Sequence, residues 1–249
     1  IEINEDIVMH LACKAHDLNS VLNYEEYYIV NTELTKRVID SFLASKARVF
    51  ITFSSVKAAA DSLSGTLYEN HNCNPQTHYG KSKLLAEQYI LSKKIPKSKR
   101  VYVLRPCMIH GPGNKGNLNL LYKLVSKGIP WPLAKFKNQR SFCSIDNLLF
   151  IIKELIDGED IPSGVYNIAD DKPLSTNEVV SFIAESQNCN FRILKVPKFL
   201  IIFISKIGNL FRLSFNSQRL QKLTESYVVD NTKIKSAIGK SLPVSSKNG

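Results

Sequence analysis

The 249 residues are 44% apolar and 22% charged, with a formal net charge of +11, a composition that builds a packed core rather than a disordered chain. No apolar run exceeds the six residues 199–204, far short of the roughly 20 that a membrane-spanning helix requires, and the opening IEINEDIVMHLA does not read as a secretory leader. Five scattered cysteines (Cys13, Cys73, Cys107, Cys143, Cys189) with no CxxC pair argue against a disulfide scaffold or a zinc ribbon and point to a reducing, cytoplasmic setting.

In chain order, residues 7–12 (IVMHLA) predict a short buried strand. Between residues 26 and 44, Ile29, Val30, Leu34, Val38, Ile39 and Phe42 recur at helical spacing as one apolar face. Residues 48–53 (RVFITF) predict a second buried strand that runs into Ser54 and Ser55, followed by a polar loop from 61 to 76. Residues 79–91 are helical, and 100–104 (RVYVL) form a third buried strand. Strands alternating with helices of this length indicate a mostly parallel sheet covered on both faces. After Gly113 the rhythm changes. A helix is expected at 118–127, a turn at 128–132, a short extended piece at 140–142, a helix from Asn147, a strand at 164–168 and a helix at 176–185. The stretch KFLIIFISKIGNLFRL from Lys198 is read as a core helix of the C-terminal part, with a membrane-surface face as the alternative. Trp131, between two prolines, is taken as a packing residue.

The positive charge is concentrated towards the end, where residues 192–249 carry eleven Lys and Arg against Glu225 and Asp230. Such an excess attracts anions: phosphorylated small molecules, nucleic acid or an acidic membrane face. No RNP, zinc-finger or KH signature accompanies it, which makes nucleic acid the weakest of these partners. His10 and His16 flank a strand end with no third ligand at useful spacing, so no metal is expected.

The segment with most chemical content is Tyr79-Gly80-Lys81-Ser82-Lys83. Tyrosine and lysine four apart share a helix face, and an ammonium beside a phenol lowers its pKa from near 10. A tyrosine so tuned can take a proton from a hydroxyl or return it to a carbonyl. The strand before it ends in Ser54-Ser55, which places a hydroxyl at the carboxyl edge of the sheet, where open α/β sheets bind ligands.

Together with DIVMHLA, VFITFSSVK, YGKSKLLAE, LRPCMIHGPG, GNLNLLYKLVSKGIPWPL, RSFCSIDNL and GVYNIADDKPLS, in that order along the chain, these pieces resemble the extended short-chain dehydrogenase/reductases. Within that family they are most similar to the NAD-dependent epimerases, dehydratases and 4-keto reductases of nucleotide sugars. The resemblance implies a Rossmann-type parallel sheet, with residues 1–112 as a partial NAD(P)-binding domain and 113–249 as mostly a substrate lobe that returns short segments to the sheet. Tyr79 resembles the acid/base. Lys83 resembles the lysine that holds the nicotinamide ribose and tunes the tyrosine, and Ser55 the hydroxyl that orients the reacting sugar oxygen. Leu11, Ala12, Asn31, Ser54 and Pro106 match positions along the cofactor. Lys57, Asn117, Leu118 and Arg140 match the substrate side, with Arg140 gripping a diphosphate, a task suited to a forked guanidinium.

The implied activity is hydride transfer with NAD or NADP at C4 of a UDP-(N-acetyl)hexose, by an epimerase or reductase of surface-polysaccharide synthesis, with a UDP-sugar as partner and a homodimer admitted. Val56 and Lys57 after Ser55 stand where a dehydratase would carry acids. The family's GxxGxxG turn is not found ahead of the strand at 7–12. The formally matching GPGNKG at 111–116 offers Pro112, which has no N–H for a phosphate, and is read as a substrate-side loop. A non-catalytic truncated homologue that binds a sugar nucleotide or a partner is the alternative expectation.

Overall fold

The computed structural model describes residues 1–15, 24–112, 118–189, 191–211 and 215–248. Four strands, Ile7–His10, Val49–Phe53, Arg100–Pro106 and Gly164–Ile168, pair in that order, and every pairing is parallel. Alternate side chains of a strand point to opposite faces. Phe50, Val101 and Val103 therefore meet Ile39, Phe42 and Ile90 from the helices Leu34–Ala44 and His78–Leu91. Ile51, Tyr102, Leu104 and Ile168 face Ile151 and Leu155 of the helix Ile145–Asp157. Both faces are thus covered by helices, the Rossmann-like α/β architecture, and each fully buried aliphatic or aromatic side chain contributes about 1.5–3 kcal/mol. Cys107 and Cys143 pack in the second of these clusters as small apolar groups, and burial raises both thiols.

A separate core lies beyond the sheet. Leu121, Val125, Trp131, Leu133, Phe142 and Val180 join helices Leu118–Ser126 and Thr176–Ser186. Trp131 is buried, and its indole N–H donates to Asn177 Oδ1 at 2.7 Å, as a packing residue with a polar edge should. The strand Gly164–Ile168 and the helix Ile145–Asp157 come from the second half of the chain yet belong to the sheet and its cover.

Three expectations change. The strand expected at 7–12 spans Ile7–His10, and Ile7 and Met9 are partly exposed because, among the described residues, it pairs on one side alone. The helix from Glu25 is interrupted by a π-helical stretch, Tyr28–Glu33, before Leu34–Ala44. The wider turn rotates the face, so Asn31, Thr32 and Thr35 are buried while Ile29 is exposed. The helix Lys198–Leu210 is not a core helix: Ile201, Ser205 and Gly208 are its buried residues. His16 and most of the GPGNKG loop lie outside the described residues.

Candidate active site

In a parallel sheet all strands end at one edge. His10, Phe53 and Pro106 end there, in register through His10 with Thr52, Phe53 with Leu104 and Pro106 with Ile168. Leu11, Ala12, Ser54 and Ser55 follow on directly. Ser54 N–H extends the ladder to Leu104 O at 2.7 Å. Ser55 caps the 3-10 turn Val56–Ala58 by accepting from Lys57 N–H at 3.2 Å, a role that suits its short hydroxyl. The buried Ser54 Oγ has no hydrogen-bond partner among the described residues.

The helix His78–Leu91 is brought against this edge by its own start. Thr77 is the N-cap, accepting from Gly80 N–H at 3.2 Å. Asp61 accepts from Gln76 N–H, Thr77 N–H and Thr77 Oγ1 at 2.6–3.0 Å, which fastens the loop expected as merely polar. A Cβ on Gly80 would stand 2.4 Å from Lys57 O and 2.7 Å from Pro75 Cβ. Glycine is therefore required there for close approach of the helix to the Ser55 turn.

That approach brings the Tyr79 phenol beside the Ser55 hydroxyl. Burial pushes the phenol up to about 12, the Cys13 thiol pushes the same way, and the Ser55 hydrogen bond offsets part of it. The expected lowering by Lys83 is absent. The Lys83 ammonium, 4% exposed, turns under the sheet edge and donates to Phe53 O at 2.7 Å. Burial, and then the Lys83 charge, lower the pKa of His10, while its Nε2 lies 3.0 Å from Thr35 Oγ1.

Asn31 is a clasp. It accepts from Lys14 N–H at 2.9 Å and donates to Lys14 O and Ser82 Oγ at 3.0 Å, tying the segment after Ala12 to the Tyr79 helix. Its carboxamide is thus occupied by the protein. Arg105, beside Pro106, forms a fully buried ion pair with Glu87 of the same helix, at 2.9 Å from Nε and 2.5 Å from Nη2.

On the other side of Ser55, Lys57 donates to Asp61 O at 2.5 Å and lies over the Tyr227 ring. Burial lowers its pKa, with Glu225 and Asp61 opposing and the cations Arg140 and Lys222 adding to the fall. Arg140 bonds Lys222 O, and its backbone pairs with Leu174 and Tyr227. Lys57 and Arg140 therefore lie near enough for their charges to interact, with Glu225 and Asp61 acting on the same group. Leu118, half-buried, packs on the separate core instead, and Asn117 lies outside the described residues.

Several neighbours were not anticipated. Tyr27 meets Tyr79 edge-on at 6.3 Å, Tyr24 stacks on His78 at 4.8 Å, and Tyr28 OH lies 3.0 Å from His78 Nδ1. Their signal was the YEEYY run at 24–28, hidden by the helical periodicity. Tyr227, whose OH donates to Val56 O and Ala60 O at 3.0 and 2.6 Å, carried no local signal.

The nicotinamide end of a dinucleotide fits these residues. Ser54 Oγ is orphaned at the edge, and the Lys83 ammonium has three donors, of which Phe53 O takes one. A parallel sheet with hydroxyl, phenol and ammonium at its carboxyl edge defines the short-chain dehydrogenase/reductase class, whose members are enzymes. Residues 3–195 match the profile of the 3-beta hydroxysteroid dehydrogenase/isomerase family, and the chain belongs to this family, in the branch that includes the nucleotide-sugar epimerases. It is 32% identical over 252 residues to the UDP-glucose 4-epimerase of Vibrio cholerae, covering 99% of this chain and 75% of that protein. It is 28% identical over 241 residues to the N-acetyl-alpha-D-glucosaminyl-diphospho-ditrans,octacis-undecaprenol 4-epimerase of Escherichia coli O157:H7, covering 93% and 72%. In fold it resembles MoeE5 solved with UDP-glucuronic acid and NAD, at a TM-score of 0.73 and 20% identity over 99% of this chain and 77% of that one.

Proposed function

We propose that this protein is an NAD(P)-dependent 4-epimerase of a sugar diphosphate, acting on a UDP-hexose or UDP-N-acetylhexose. The observation that carries the reading is the gathering of the Tyr79 phenol, the Ser55 hydroxyl and the buried Lys83 ammonium at the carboxyl edge of one parallel sheet. Both curated relatives described above are 4-epimerases, which favours epimerase over reductase. Residues 1–112 would serve the cofactor and 113–249 mainly the sugar.

A bound nicotinamide dinucleotide supplies the hydride acceptor and donor for C4. Ser55 Oγ holds the C4 oxygen by a hydrogen bond. Tyr79 Oη takes the hydroxyl proton and later returns it. With its pKa near 12 in the unliganded site, the phenol begins protonated. Lys83 would help hold a bound dinucleotide and would tune the phenol, because a nearby cation favours phenolate. Lys57 and Arg140 answer the diphosphate charge, and Leu11, Ala12, Asn31 and Pro106 shape the cofactor's bed.

The test is Tyr79→Phe in the protein as its gene encodes it, assayed by separating UDP-glucose from UDP-galactose, and UDP-N-acetylglucosamine from its 4-epimer. Turnover should fall about 10²–10⁴-fold with little change in substrate affinity. Arg140→Ala should instead weaken UDP-sugar binding by about 1–3 kcal/mol in calorimetry. Near wild-type turnover by Tyr79→Phe refutes the assignment.

A second reading differs only in what carries the sugar: a polyprenyl diphosphate, as the name of the Escherichia coli relative states. The run of exposed apolar side chains on the helix Lys198–Leu210 favours it. The same assay with a lipid-linked N-acetylhexosamine separates the two.

A further inference from the structure

The helix Lys198–Leu210 touches the rest of the protein along one narrow line. Ile201, Ser205 and Gly208 are buried, at the i, i+4, i+7 spacing of a single stripe. At Gly208 a Cβ would fall 1.8 Å from Phe215 O, so the helix lies hard against the segment leading into Ser217–Thr224. Ser205 and Asn209 fasten it through Ser217 at 2.9–3.3 Å. The opposite face bears Phe199, Phe203 and Leu210, exposed by 74%, 60% and 77%, with Phe211 beyond them. Isolated exposed apolar residues need no explanation, but a continuous set of large ones on one helix face does.

The surrounding charge selects what covers this face. Residues 190–224 hold seven Lys and Arg and no Asp or Glu, and Arg192, Lys195, Lys198, Lys206, Arg219 and Lys222 are exposed. A second copy of the same face would bring like charges together, which opposes self-association. Thirteen residues make a helix about 20 Å long, too short to cross a bilayer, and among the described residues no helix is long and apolar enough to do so. An apolar face framed by cations suits a helix lying in the plane of an anionic membrane surface, with Phe and Leu below the headgroups and Lys stems reaching back to them. We propose that the helix Lys198–Leu210 is a membrane-docking surface for anionic lipid. The adjoining helix Ser217–Thr224 carries Lys222, whose carbonyl Arg140 holds, so docking would place Arg140 one helix away from the lipid headgroups. The docking is independent of the reaction assigned above.

The experiment is co-sedimentation of the whole protein with vesicles of phosphatidylcholine alone or with about one third phosphatidylglycerol. Binding should require the anionic lipid and weaken steeply at high salt. Phe199→Ser with Phe203→Ser should reduce partition about tenfold or more. Lys195→Gln with Lys198→Gln should reduce it about fivefold per cation removed. Turnover of a water-soluble UDP-sugar should be unchanged in both variants, which shows that they fold and separates this test from that of the catalytic assignment. Absence of anionic-vesicle binding at low salt overturns the proposal, as does equal binding by the Phe variant. A wild-type dimer that the Phe variant dissociates in ultracentrifugation, without vesicle binding, also overturns it in favour of a second copy.

Discussion

The two halves of the molecule are held together by different physics. At the sheet edge the elements that carry the candidate residues are pinned by specific polar contacts: Asp61 to the Thr77 turn at the surface, Lys83 to Phe53 O beneath it, and the buried pair of Arg105 with Glu87. The C-terminal helices rest mainly on apolar packing, and Lys198–Leu210 on a three-residue stripe with the Ser217 hydrogen bonds. Buried polar contacts fix geometry because an unmade one is costly, whereas apolar packing tolerates substitution when volume is kept. The first region is built to place atoms, and the second to present a surface.

The largest expected effect tests that contrast directly. Arg105→Met leaves Glu87 charged and buried, and should destabilise the protein by about 3–5 kcal/mol, measured by denaturant unfolding. Adding Glu87→Met should recover most of the loss. Phe203→Ser, on the exposed helix face, should stay within about 0.5 kcal/mol. Equal losses for Arg105→Met and Phe203→Ser would erase the distinction.

Gly80→Ala comes next. Its Cβ meets Lys57 O, so the helix must retreat from Ser55. A displacement of this kind should lower turnover about a hundredfold while the fold survives. Unchanged turnover would mean that the approach of Tyr79 to Ser55 does not set the rate.

The smallest effect concerns pH. The Tyr166 hydroxyl donates to Pro162 O at 2.6 Å, and burial pushes its pKa up to about 12. Its unfolded value is near 10, so the unfolded state releases this proton first. The stabilisation is fully present below pH 10 and is lost as pH rises towards 12. Urea midpoints should fall across that window, and Tyr166→Phe should flatten the fall. An equally steep fall in the variant would assign the alkaline loss to other groups.

The same division decides what could be read from the sequence. The strands Val49–Phe53, Arg100–Pro106 and Gly164–Ile168 are buried on both faces, and so stand out as continuous apolar runs. The YGKSK helix and Ser54-Ser55 were legible because their spacing fixes their placement. What escaped depended on contacts distant in sequence. Tyr227 reaches Val56 and Ala60 across 171 and 167 residues, and the π-helical stretch that buries Asn31 rather than Ile29 leaves apolar periodicity intact on paper. The helix Lys198–Leu210 misled for the opposite reason: its apolar residues surround most of the axis, a pattern equally suited to a core and to a lipid surface. The bond of Lys83 to Phe53 O also escaped, because a shared helix face does not dictate side-chain direction.

Asn31 has a consequence for how such a chain can vary. Its carboxamide joins Lys14 to Ser82, so one side chain couples the run after the first strand to the helix that carries Tyr79. A substitution at position 31 would loosen the Tyr79 helix and the run at Lys14 together, so this residue can change over descent only in step with both of its partners.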